Sequence, residues 1–79
     1  MADRSDLVPW LVEALTARGG SAVPLDVTKE VWRRHEEDLR AADDLFFTWQ
    51  YDLRWAATKL RQEGVLAPNK RGEPWSLAR

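Results

Sequence analysis

Cysteine is absent from the 79 residues, and histidine occurs once. A chain without cysteine can build neither a disulfide framework nor a thiolate metal site, and a lone histidine cannot supply the paired-histidine spacing of a zinc site. There is no glycine-rich phosphate loop. No catalytic constellation, cofactor or small-molecule substrate is therefore expected of this chain by itself. No apolar run approaches the ~20 residues of a membrane span, and no signal peptide is visible. The expectation is a soluble cytoplasmic protein without a membrane partner, or a domain cut from a longer one. Repeats and low-complexity segments are also missing.

Aromatic bulk and a charge gradient are what the chain has instead. Its length points to a single domain, residues 1–79. A domain of this size buries only ~60% of its unfolded surface, so its core must be rich in large side chains. Five tryptophans, two phenylalanines and one tyrosine supply them. The net charge of −1 conceals a polarity: residues 1–48 carry six bases against ten acids, whereas residues 49–79 carry six bases against three acids. Overall composition does not announce nucleic-acid binding, but this distribution leaves room for a basic face on the second half.

The stretch from Asp44 to Leu77 organises the rest. At 100° steps Leu45, Trp49, Leu53, Ala56 and Leu60 fall in one narrow sector, with Phe46 and Ala57 at its edge, so a helix is predicted over Leu45 to Glu63. Asp44 is a candidate cap, and Gly64 suits the left-handed residue that stops a helix. Val65-Leu66-Ala67 and Pro74-Trp75-Ser76-Leu77, around a polar tip Pro68-Asn69-Lys70-Arg71-Gly72, read as a short β-ribbon.

Upstream, Leu7 to Arg18 predicts a helix with Asp6 as cap, Leu7, Leu11, Ala14 and Leu15 inward and Trp10 beside them. Gly19-Gly20 ends it, and Ser21-Ala22-Val23 is a candidate strand. Pro24 starts a second helix through about His35, with Val27 and Val31 inward and Trp32 next to them. Glu36 to Ala42 reads equally as a continuation, a separate helical turn around Leu39, or a polar turn.

Three helices, a short strand and a C-terminal β-hairpin form the order of a winged helix-turn-helix, mainly α with a small β-ribbon. The run Trp55-Ala56-Ala57-Thr58-Lys59-Leu60-Arg61-Gln62-Glu63-Gly64-Val65-Leu66, then Arg71-Gly72 and Trp75-Ser76-Leu77, resembles the N-terminal winged-helix domain of Mrr-type, modification-dependent (type IV) restriction endonucleases. Gly19-Gly20-Ser21-Ala22 ahead of a helix matches loosely. The chain departs from that family at Tyr51-Asp52, where the family often has Asn-Arg, and at Glu73-Pro74, which lengthens the hairpin by one residue. The resemblance implies a DNA-binding module ahead of a nuclease domain in a longer protein of a defence system that restricts modified DNA. A nuclease site would need clustered acids and a base positioned for metal-assisted hydrolysis, and that constellation would lie outside this chain.

Candidate site residues follow, each with its plainer reading. His35 with Glu36, Glu37 and Asp38 reads as a solvated helix end rather than a metal cluster. Arg33 and Arg34 suit phosphate contact or the helix dipole equally well. Lys70 and Arg71, at a hairpin tip too short to bury them, are expected against a DNA backbone. Phe47, Tyr51 and Trp55 recur at i, i+4, i+8 and form a second stripe almost opposite the leucine stripe, flanked by Arg54 and Thr58. Trp55 is expected to pack on the ribbon through Trp75, whereas Phe47 and Tyr51 suit core or contact surface alike. The expected function is reading of duplex DNA, including 5-methylcytosine, by the N-terminal half of the long helix in the major groove. Thr48, Gln50, Tyr51 and Arg54 are then the candidate readers beside Phe47, and Arg33, Arg34, Lys70 and Arg71 hold phosphates. The alternative is a protein-interaction or homodimer surface formed by Phe47, Tyr51 and Trp55.

Overall fold

Leu7, Leu11, Ala14 and Leu15 are all fully buried, and this three- and four-residue spacing folds as α1, Leu7–Ala17, in a computed structural model that describes residues 1–78. Asp6 does not cap α1 through its side chain. Its backbone is already helical (φ −68°, ψ −23°) because a 3₁₀ turn, Arg4–Asp6, runs straight into the helix. The cap lies upstream, where the Asp3 carboxylate accepts the Ser5 N–H and the Asp6 carboxylate accepts the Asp3 N–H in a reciprocal box. At the other end Gly20, at φ +99°, donates its N–H to the Leu15 carbonyl at 2.7 Å. Only glycine adopts that backbone without strain.

A short strand β1, Ser21–Ala22, leads to α2, Pro24–Ala41, with proline at its first turn. Val27, Val31 and Leu39 are fully buried. The segment after His35 is a continuation with a break in it: His35 leaves helical geometry (φ −128°, ψ 25°), and helix resumes as far as Ala41. The side chains around His35 differ from a solvated helix end. Its ring stacks on Trp10 at 3.9 Å and 7°, and its Nε2 lies 2.6 Å from the Glu13 carboxylate. The break therefore sits where α2 leans on α1.

In α3, Leu45–Gln62, the whole predicted stripe is buried, from Leu45 and Trp49 through Leu53 and Ala56 to Leu60, with Ala57. Trp49 stacks on Trp32 of α2 at 5.9 Å. Asp44 makes no side-chain cap, because the turn before the helix supplies the acceptors: Phe46 and Phe47 donate to the carbonyls of Asp43 and Asp44. Gly64, at φ +78°, stops the helix.

The ribbon is shorter than its sequence suggests. Both Val65 and Leu66 donate their N–H groups to the Leu60 carbonyl, at 2.9 and 3.2 Å. Their amides are thus spent on the end of α3, and the expected first arm contracts to one bridge, Leu66 to Leu77. The regular sheet is antiparallel and two-stranded, pairing β1 with β2, Trp75–Ser76, in the register Ser21–Ser76 and Ala22–Trp75. Ala67 N–H to Ser76 carbonyl and Ala78 N–H to Val65 carbonyl tie the 65–67 segment to the outer edge of β2. The result is three helices around one core with a small antiparallel sheet at one end. No helix among the described residues is long and apolar enough to cross a membrane.

Candidate nucleic-acid interface

The outer face of α3 carries Phe47 and Tyr51, 83% and 78% exposed. A helix packed on one side leaves such positions to solvent or to a partner. Gln50, Tyr51 and Arg54 border a shallow depression of about 450 Å³ that Pro24, Leu25 and Thr28 complete from the start of α2, with Trp75 at its edge. Adjoining it is a groove of about 380 Å³ between α3 and the 69–73 tip, into which Arg54, Thr58 and Arg61 face from the helix and Lys70 and Arg71 from the tip.

The tip is held shut by its own backbone. The Glu73 N–H donates to the Lys70 carbonyl at 3.0 Å, and the Glu73 carboxylate accepts the Lys70 N–H at 2.7 Å. Asn69 joins the tip to α3. Its amide donates to the Glu73 carbonyl, and its oxygen accepts from Arg61 Nη1 at 3.2 Å. Arg61 also donates to the Thr58 hydroxyl at 3.3 Å. These partners are neutral, so its charge is not cancelled.

Ion pairing separates the bases into two sets. Arg18, Arg33, Arg34 and Arg40, in the acid-rich first part of the chain, pair with carboxylates, as does Lys59 of α3 with Glu63. Among the described residues Arg54, Arg61, Lys70 and Arg71 have no carboxylate within ion-pair reach. Four bases against one acid, Glu73, line the groove, a net positive charge that favours an anion.

Arg33 and Arg34 do not join that groove. Both close on Glu30, one helical turn back on α2, whose side chain is only 8% exposed and also receives Arg18 Nε at 3.4 Å. Both bases thus serve Glu30, since a nearly buried carboxylate needs close cationic partners, while the Arg33 side chain stays 66% exposed. Thr48 is likewise occupied, its hydroxyl donating to Asp52 at 2.7 Å. Trp55 is half-buried under the Arg4 guanidinium, 4.0 Å from the ring centroid, and not through Trp75 as the sequence suggested. Trp75 lies on the other flank of α3, beside Arg54 and Thr58. Arg61 and Leu25 are additions. Arg61 was legible, since Arg54, Thr58 and Arg61 follow i, i+4, i+7. Leu25, 62% exposed, carried no signal beyond falling outside the Val27–Val31 stripe.

The Glu30 cluster makes a pH prediction. Hydrogen bonds from Arg33 and then Arg34 hold the Glu30 carboxyl down from 4.5 to about 2, against the burial that would raise it. The fold favours the ionised form, so this contribution to stability is complete above 4.5 and drains away as the pH falls toward about 2. Glu30→Gln should therefore melt below wild type at neutral pH, with the gap narrowing across that window. A gap that stays constant there would show that ionisation of Glu30 contributes nothing.

No family model, curated protein or solved structure matches this chain.

Proposed function

We propose that this chain is a duplex-DNA-binding module of the winged-helix type. The observation that carries the reading is the groove itself: four bases without an ion-pair partner, from α3 and the 69–73 tip, outnumber the one lining acid, Glu73, beside an exposed, polar and aromatic helix face. Supporting the winged-helix assignment, the 65–67 segment lies along β2 while β1 lies along its other edge, with α2 and α3 in sequence before it. In this reading α3 enters the major groove, Gln50, Tyr51 and Arg54 face base edges, and Arg61, Lys70 and Arg71 hold phosphates. The resemblance of residues 55–77 to Mrr-type enzymes extends the proposal to a module that sits ahead of a nuclease and helps it find modified DNA.

Titration of a short duplex at several salt concentrations tests it. Phosphate-driven binding weakens with a log–log slope of about −0.9 per contact. The competing reading is a second copy of the chain or a partner protein docked on Phe47 and Tyr51, favoured by their exposure beside Leu25. It predicts salt-insensitive self-association, visible by sedimentation, and no duplex binding.

Modification reading is a separate prediction. A cytosine C5-methyl group projects into the major groove as the thymine methyl does, and it needs an apolar surface next to a bidentate donor for the neighbouring guanine. Phe47 and Tyr51 supply the first, and Arg54, one turn beyond Tyr51, the second. Two duplexes differing only in 5-methylcytosine, compared at one salt concentration, should differ by ~1 kcal/mol or more in favour of the methylated one. Tyr51→Ala should erase that preference. Equal affinities in several sequence contexts would leave generic DNA binding alone.

A further inference from the structure

Arg4 belongs neither to the Glu30 cluster nor to the tip groove. Among the described residues it has no carboxylate within ion-pair reach. Its two acidic neighbours in sequence are occupied by backbone amides, Asp3 by the Ser5 N–H at 2.9 Å and Asp6 by the Asp3 N–H at 3.0 Å. Asp52, three residues before Trp55 on α3, accepts the Thr48 hydroxyl. The guanidinium sits over the Trp55 ring instead. Cation–π attraction of this kind positions the group without using its N–H donors, so all five stay available to an anion. The capped 3₁₀ turn beneath it holds the backbone of Arg4 in place.

Its location gives this a use. Arg54 and Trp55 are consecutive, so they project about 100° apart around α3. Arg54 borders the tip groove, and Trp55 with Arg4 lies on the other flank. Tyr51 and Thr58, each one turn from both, occupy the sector between them. The outer face of α3 is thus bracketed by cations on both sides. A helix seated in a major groove is bracketed the same way by two phosphate backbones, one from each strand. We infer that Arg4, propped on Trp55, is a second phosphate-binding site that holds the strand opposite to the one held by Lys70 and Arg71. The inference rests on the duplex-binding reading and assigns the N-terminal turn a part in it.

Salt titration of the whole chain against one duplex tests the inference. Melting of each variant comes first, because Arg4→Ala uncovers part of Trp55. Arg4→Ala should reduce the magnitude of the salt slope by about 0.9, the value of one phosphate contact. Arg4→Lys, which retains the charge, should keep the slope. The loss should add to that of Lys70→Ala/Arg71→Ala in the triple variant, as it does for separate contacts. An unchanged slope in Arg4→Ala, with a flattened one in the tip double variant, would overturn the inference and leave the duplex reading standing. A triple variant no worse than the tip double variant would also overturn it, since Arg4 would then add no contact of its own. A wild-type chain without salt-dependent duplex binding would remove both readings.

Discussion

Alanine at Leu53 will cost ~2–5 kcal/mol of folding stability, and alanine at Leu60 a similar amount. Both side chains are nearly inaccessible, at 1% and 3%, and sit in the one core that all three helices share. Truncation removes contacts on every side and leaves a cavity that a close-packed interior fills only in part. Domains carry about 5–15 kcal/mol in total, so either change takes a large share. Tyr51→Ala is the control. Its ring is 78% exposed, and surface substitutions of that kind stay within about 0.5 kcal/mol. Urea unfolding followed by the helical circular dichroism signal reads all three variants. Equal losses at Tyr51 and Leu60 would mean that α3 is packed on both sides and that its outer stripe is core.

On the proposed duplex-binding reading, Lys70→Ala/Arg71→Ala will weaken binding by a similar factor for every sequence and flatten the salt slope by about two units. Over a fourfold rise in salt, two contacts account for about a tenfold change in affinity. The tip does not depend on these side chains for its shape. Its turn is closed by the Glu73 and Lys70 backbone groups and by the Asn69 amide, and both bases are exposed. A fall in affinity therefore reports lost charge and not a collapsed loop. An unchanged slope would take the tip out of the interface.

The helices were legible because local and global signals agree in them. The stripe from Leu45 to Leu60 has helical spacing, and nothing in the tertiary packing overrides it. The caps were misread at Asp6 and Asp44, where an N-cap needs extended backbone. Both residues are already helical, which depends on the turns before them and not on their own identity. The first ribbon arm was misread because a glycine stop and a strand compete for the same amides, and the Leu60 carbonyl wins them. In the candidate site the tip bases were visible from their position, and Arg61 from its spacing. Glu30 lies three and four residues before Arg33 and Arg34, a spacing that brings side chains together on a helix, so that pairing was visible too. The share taken by Arg18 was not, because it crosses between elements. Arg4 over Trp55 joins residues far apart in the chain and has no local signal.

The pairing of β1 with β2 has a kinetic side. Ser21 and Ser76 share a hydroxyl contact at 2.8 Å across 55 residues of chain. Closing so long a loop is entropically costly for so short a ladder, so the sheet is expected to form after the helices have docked. Few bonds hold it, but Leu66 and Trp75 are part of the core the helices share, so its opening is expected to uncover both side chains and to fall below global unfolding in cost. Amide hydrogens of Ala67 and Leu77, bonded to the Ser76 and Gly20 carbonyls, are then expected to exchange faster than those in the middle of α3. The basic tip rides on that fluctuating segment. An anion bound between the tip and α3 would suppress the opening, so occupancy of the groove would be recorded as slowed exchange at the sheet.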